Sequence, residues 1–263
     1  MVHLVSRLIA GFCASLLLVA AIPAQAAGAR LFAPWHEAAD RFERLAGEAQ
    51  ARGELPRMSD PEAAALLTTL SDSQALLANR GFAYEDSQKL SDMLFRSIRI
   101  LMLYGHPTGF PDGPSDVYPV SAASRASYVE HQAEAVPLFI FTIDAMAPTM
   151  NIAGEELEAN PARRTEASWR EAAAHWRYIV DYLGIALEAI EWQQLAPERR
   201  LAIAQALARN APVLARNFSL ANRAGMLARL APVRDRSQGD VRAALDTVAA
   251  AFEAPGCTHL CAF

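Results

Sequence analysis

The chain has 263 residues, of which 52% are hydrophobic and 20% are charged, and its formal net charge is −5. This length is sufficient to bury a substantial core in one or two domains. The acidic balance and the lack of a lysine or arginine cluster exclude a phosphate-binding surface, so we expect neither nucleic acid nor an anionic membrane among the partners.

Residues 1–26 have the layout of a cleavable secretory signal peptide. Arg7 supplies a positive charge, residues 8–22 form a short apolar segment, and residues 24–26 have an A-x-A pattern. A spanning helix needs about 20 apolar residues, so the segment is too short for an anchor. We predict cleavage after Ala26 and export to the periplasm or the medium, with no membrane anchor in the mature protein. Lys89 is the only lysine, and such an arginine bias is typical of GC-rich bacterial genomes.

Two cysteines, Cys257 and Cys261, remain after this cleavage. An even number of cysteines in an oxidising compartment favours a disulfide, which would hold the C-terminal tail in place. The alternative is a metal site formed by Cys257, His259 and Cys261. Three ligands so close in sequence make a poor tetrahedron, and no fourth ligand is identifiable. We therefore predict the disulfide.

Helical periodicity dominates the rest of the sequence, and sustained strand alternation is missing. The predicted helices, in chain order, cover residues 35–51, 61–70, 72–80, 84–104, 122–146 (with a bend at Pro137), 166–193, 197–208, 212–229 and 239–252. The segments 105–120 and 148–164 are predicted connectors, the second of them solvated and with a single helical turn. We predict an all-α fold in which residues 27–263 form one domain. It is a multi-helix bundle around three long antiparallel helices, 84–104, 122–146 and 166–193.

The third long helix has the clearest pattern in the chain. From Trp169 to Ile190, apolar residues recur at alternating steps of four and three, as in a coiled-coil seam. A second apolar stripe lies nearly opposite and consists of Tyr178, Tyr182, Ile185 and Trp192. A surface helix would be polar there. Either this helix is buried on both sides, or the second stripe is an aromatic surface that binds another protein.

The connector 105–120 is long for a link between helices and is rich in proline and glycine. It is interpreted as a rigid connector, a protein-binding loop or a ligand lid. In the predicted bundle it lies near Glu188 and Trp192, at the end of the third long helix. Its aromatic residues Phe110 and Tyr118 are therefore further candidates for partner binding.

No familiar catalytic motif is present in the sequence. The densest ionisable cluster on a predicted helix contains Glu130, His131 and Glu134. A histidine and a glutamate three residues apart share a helix face, which suits a metal or a general base. Metal sites in helix bundles draw such pairs from several helices, and no second pair is found. We predict no metal and no cofactor, and His131 and Glu134 remain the alternative site.

The leading hypothesis is therefore an exported helical protein, not an enzyme, that binds another protein. A toxin-neutralising or chaperone-like adaptor would fit this description. The first alternative is an enzyme with metal or acid/base chemistry, or a small-ligand binder, at His131 and Glu134. The second alternative is a structural component of the cell envelope.

Overall fold

The computed structural model describes residues 24–78, 82–106, 120–163 and 165–254. Within these ranges, the side chains of residues 24–30, 163, 167–175, 177 and 178 are outside the description. The α-helices are α1 (Ala24–Gln50), α2 (Pro61–Leu70), α3 (Ser73–Ala78), α4 (Ser87–Gly105), α5 (Ala122–Glu130), α6 (Gln132–Ala159), α7 (Glu166–Glu191), α8 (Pro197–Asn217), α9 (Leu220–Arg236) and α10 (Gly239–Glu253). Short 3-10 helices cover Tyr84–Asp86 and Pro161–Arg163. The described ranges contain no strand, and the all-α prediction is confirmed.

Local capping signals explain where several helices begin. The Asp60 carboxylate accepts a hydrogen bond from the Glu62 N–H at 2.9 Å, and Pro61 occupies the first position of α2. Ser121 and Ser219 cap α5 and α9 in the same way. A side-chain oxygen at this position satisfies a backbone N–H that has no partner inside the helix. The starts of α2 and α5 agree with the predicted ones, whereas α9 begins at Leu220 instead of residue 212.

Three of the predicted helix ends are wrong, and all three lie near prolines. The helix predicted to end at residue 229 continues as α9 through Pro232 to Arg236. The helix predicted to end at residue 146 continues as α6 through Pro148 to Ala159, so the solvated connector predicted for 148–164 is mostly helix. The helix predicted to end at residue 208 continues as α8 through Pro212 to Asn217. A proline inside a helix costs about 3 kcal/mol. The extensive packing of α6 against α8 offsets this cost.

The helix predicted for residues 122–146 is two helices, α5 and α6, which meet at His131. Helix α6 lies at the centre of the bundle, where it packs most extensively against α4 and α8. Helix α7 packs against α8 and α9. Among the described helices, α6 alone is long and apolar enough to cross a membrane, and 72% of its most apolar window is buried inside the fold. Such burial is typical of the core helix of a folded domain.

Three residues of the second stripe are part of the core. Tyr182, Ile185 and Trp192 are only 6%, 4% and 5% exposed. Tyr182 stacks on Phe139 at a ring distance of 4.8 Å, and Trp192 stacks on Tyr128 at 6.1 Å. The interpretation of these three residues as an exposed docking surface is therefore wrong, because the fold covers both sides of this half of α7.

Tyr178, the fourth residue of the stripe, has a side chain outside the description.

Candidate functional site

His131 lies at the junction of α5 and α6 and is 5% exposed. Its Nδ1 lies 2.8 Å from the backbone oxygen of Ser127. Because a carbonyl oxygen can only accept, Nδ1 carries the proton of this bond, and a neutral ring keeps Nε2 as an acceptor. No described residue donates a hydrogen bond to Nε2. The junction therefore fixes the ring and leaves one acceptor available.

His131 lines an open pocket of about 590 Å³. The opposite wall is the connection between α1 and α2, residues 51–60. The charged residues around the pocket are Arg52, Glu54, Arg57, Asp60 and Glu130, and the apolar ones include Leu45, Ala49, Leu55 and Pro56. This volume lies in the range of small-molecule sites in proteins.

Three contacts from three helices hold the 51–60 wall in place. The Tyr104 hydroxyl of α4 donates to the Pro56 carbonyl oxygen at 3.0 Å. The Glu134 carboxylate of α6 accepts from the Met58 N–H at 2.7 Å, and Glu130 of α5 accepts from Arg57 at 2.7 Å. A pocket whose wall is held from three sides is formed in advance of any ligand.

Glu134 has a different role from the one that its spacing to His131 predicts. Its carboxylate is 5% exposed and is bonded to Met58, and it does not line the pocket. Burial, with the negative charge of Glu134 as the second cause, raises the pKa of the Tyr104 phenol well above its usual value. Tyr104 therefore remains a donor to the wall. Among the described residues, no group of three histidine, cysteine or acidic side chains is placed to hold a metal ion.

One end of the 105–120 connector lies against α5 and the other lies beside the end of α7. His106 Nδ1 lies 3.5 Å from the Ser124 hydroxyl, and the Val120 N–H donates to the Glu188 carboxylate. The Arg125 guanidinium lies 5.7 Å from the centre of the Trp192 ring. This agrees with the predicted position of the connector.

Four of the predicted site residues lie outside the described residues: Phe110, Tyr118, Cys257 and Cys261. The predictions made for them, partner binding for the first two and a disulfide for the cysteines, therefore stay predictions.

Sequence analysis missed a second polar centre, between α6 and α8. Asp144 is fully buried and accepts two hydrogen bonds from Arg209, at 2.7 Å and 2.6 Å, and one from Asn210 at 2.6 Å. The only sign of this centre in the sequence is Asp144 itself, a single carboxylate inside the long apolar run of α6. A buried charge requires a partner, but nothing in the sequence identifies Arg209, 65 positions away.

Comparison with known proteins gives no direct information on function: no family model, no curated protein and no solved structure matches this chain.

Proposed function

We propose that this protein is exported and acts by binding a small, neutral, polar ligand in the pocket beside His131. The observation that carries the proposal is the His131 ring. Its Nδ1 is committed to Ser127, while its Nε2 has no donor among the described residues and the ring borders a pocket of about 590 Å³. An oriented acceptor in a concave site is typical of ligand recognition.

The charges around the pocket favour a neutral ligand. Arg52 is paired with Glu54 at 3.2 Å, and Arg57 is paired with Glu130 at 2.7 Å. These two ion pairs are balanced, and the fifth charged residue, Asp60, accepts backbone hydrogen bonds at the start of α2. The rim therefore has one excess negative charge and offers donors and acceptors without a strong field of one sign. Nε2 of His131 requires a donor from the ligand, so hydroxyl and amide groups suit it best. A polyol, a sugar or a small amide has these groups.

Binding is favoured over catalysis because the acidic groups near His131 are already used. A general acid or base must reach the reacting atoms at hydrogen-bond distance. The Glu134 carboxylate is bonded to Met58, and the Glu130 carboxylate is bonded to Arg57. Among the described residues, no hydrogen bond joins the His131 ring to a carboxylate that could share a proton-transfer step.

The protein-binding hypothesis loses the support of Tyr182, Ile185 and Trp192, since these are core residues. A protein partner and a structural role in the envelope stay predictions, and no specific contact favours either.

The proposal is tested on mature protein recovered from the periplasm of a bacterial host that expresses the full chain. Its intact mass shows whether cleavage occurs after Ala26. Native mass spectrometry detects co-purified small molecules, and thermal-shift assays use a panel of sugars, polyols and neutral amides. The test variant is His131→Phe, and the matched control is His36→Phe, a histidine on α1 that does not line this pocket.

We expect at least one panel member to raise the melting temperature of the wild type and of His36→Phe, but not of His131→Phe. Circular dichroism verifies that both variants are folded. The proposal fails if the wild type carries no small molecule and responds to no panel member. It also fails if folded His131→Phe responds as the wild type does.

A further inference from the structure

Asp144 carries a charge at a position that is fully buried between α6 and α8. Burying a carboxylate is costly unless it is paired and hydrogen-bonded. Arg209 meets it with Nε and Nη2 at 2.7 Å and 2.6 Å, and the Asn210 amide adds a third bond at 2.6 Å. Asp144 therefore fixes the orientation of the Arg209 guanidinium.

Arg209 still has unused donors. A guanidinium has five N–H groups, and the bonds to Asp144 use one at Nε and one at Nη2. The two hydrogens of Nη1 and one of Nη2 form the outer edge of the group. The Arg209 side chain is 35% exposed and lines an open pocket of about 450 Å³.

The pocket also has an apolar lining. It comes from α3, α6, α8 and Phe82, which lies two residues before the first 3-10 helix, and it includes Leu76, Leu77, Ile152 and Val213. At the rim, Asn151 donates to Glu155 at 2.7 Å. A guanidinium edge that shares one cavity with apolar side chains is suited to an anion with an apolar body.

The charge of the pocket distinguishes between anions. Asp144 balances the charge of Arg209, and the Glu155 carboxylate at the rim is paired with Arg216 at 3.8 Å, so the pocket has no net positive charge. A phosphate dianion would meet too little positive charge here. A carboxylate carries a single charge and matches the planar fork of a guanidinium with two parallel hydrogen bonds.

We infer that the pocket between α3, α6 and α8 binds a small organic monocarboxylate, with its carboxylate on the outer edge of Arg209 and its apolar body against Leu77 and Phe82. This site shares no lining residue with the His131 pocket, so it does not depend on the function proposed above.

The test is isothermal titration calorimetry of the mature protein with 3-phenylpropanoate and with its uncharged analogue 3-phenylpropanamide. Val213→Asp is the first test variant. Val213 is half-buried in the pocket lining, one helical turn after Arg209, so the new carboxylate would compete for the guanidinium. Val241→Asp, at a half-buried site on α10 outside the pocket, is the matched control.

Leu77→Trp is a second variant, which fills the apolar side without changing any charge. If circular dichroism shows that Val213→Asp does not fold, Leu77→Trp is the variant that tests the apolar part of the site.

We expect the wild type and Val241→Asp to bind 3-phenylpropanoate, and the amide to bind at least about tenfold more weakly, because it lacks the charge-assisted bonds. Folded Val213→Asp and Leu77→Trp lose at least about tenfold in affinity for the acid. The inference is overturned if the wild type gives no heat with the acid up to its solubility limit. Equal binding of acid and amide, or undiminished binding by both folded pocket variants, overturns it as well.

Discussion

Trp192 of the second stripe and His131 at the junction of α5 and α6 are equally buried, yet the fold uses them in opposite ways. Trp192 and His131 are each 5% exposed. Trp192 is packed against Tyr128, and its Nε1 is a buried nitrogen without a hydrogen-bond partner among the described residues. His131 has one nitrogen bonded to Ser127 and borders an open pocket. Burial alone therefore does not separate a core residue from a site residue, whereas the surroundings of the polar atoms do.

The largest effect is expected from Trp192→Ala, which removes the ring that packs on Tyr128. Truncation of a buried tryptophan costs about 3–5 kcal/mol, from lost transfer energy and from the cavity left behind. Urea denaturation should show this loss in the free energy of unfolding. Trp192→Phe keeps an aromatic ring and removes the unpaired N–H, so we expect less than half of the loss.

His131→Phe should cost only about 1 kcal/mol, since it mainly loses the single bond to Ser127. This smaller loss would distinguish the junction from the stripe.

If Trp192→Ala left the free energy of unfolding unchanged, the stripe would not be core and its role as a docking surface would have to be restored.

A smaller loss than that of Trp192→Ala is expected from Gly105→Ala, at the contact that holds Tyr128 beneath Trp192. A Cβ atom on Gly105 would overlap the Tyr128 ring, so the substitution overpacks the core and costs about 1–3 kcal/mol. Gly47→Ala is the matched control, because Gly47 is exposed in the interior of α1 and has open space around its Cβ position.

Gly47→Ala should stabilise the protein by about 0.5–1 kcal/mol through helix propensity. Opposite signs for the two alanine variants, measured by urea denaturation, would confirm the close approach of α4 and Tyr128. Equal and favourable values would show that this contact is loose.

The same comparison shows what the sequence can predict. Local signals were sufficient to predict the start of α2 at Asp60 and to identify His131 as a candidate site residue. Each prediction depends on neighbours within one helical turn. Seam periodicity placed the stripe on one side of α7, but whether that side faces solvent depends on Phe139 and Tyr128, which come from other helices. The prolines at 148 and 212 misled the prediction for the same reason, since their cost is offset by packing between distant segments.

The His131 cluster and the pair of Asp144 and Arg209 differ in how far apart their residues lie in the sequence. Glu130 and His131 are adjacent in sequence, so a cluster was visible, although Glu134 turned out to position the wall through Met58. Asp144 and Arg209 are 65 residues apart, and only the tertiary structure pairs them.

The His131 pocket can be disturbed through its wall with a modest loss of stability. Gly53, in the 51–60 connection, has φ of +74°, where a side chain costs about 1–2 kcal/mol. Gly239, at the start of α10, has φ of +56° and lies outside the pocket. We expect Gly53→Ala and Gly239→Ala to lose similar amounts of stability in urea denaturation.

Only Gly53→Ala should weaken the ligand-dependent thermal shift of the His131 pocket. If both glycine variants retained the full shift, the backbone at Gly53 would not set the shape of the pocket. If both lost it, the effect would reflect global stability instead.

The smallest effect is expected from pH, at the base of the 105–120 connector beside the stripe. Burial lowers the pKa of His106 below the ordinary value of 6.5, so below about pH 6.5 the unfolded chain binds this proton more readily and stability falls as the pH falls. Burial raises the pKa of Glu188 above 4.5, so the folded chain takes up that proton first and gains stability as the pH falls through the raised pKa towards 4.5.

The two groups oppose each other, and single variants separate them. Relative to the wild type, His106→Gln should flatten the loss of melting temperature below about pH 6.5, and Glu188→Gln should remove the gain at lower pH. Burial also lowers the pKa of His36, so part of the loss of melting temperature below about pH 6.5 persists in His106→Gln. Since both tested groups are partly solvated, we expect shifts smaller than those of the glycine variants. A steeper loss in His106→Gln would mean that the folded protein holds His106 in its charged form, and the base of the connector would then be a polar site rather than the edge of the core.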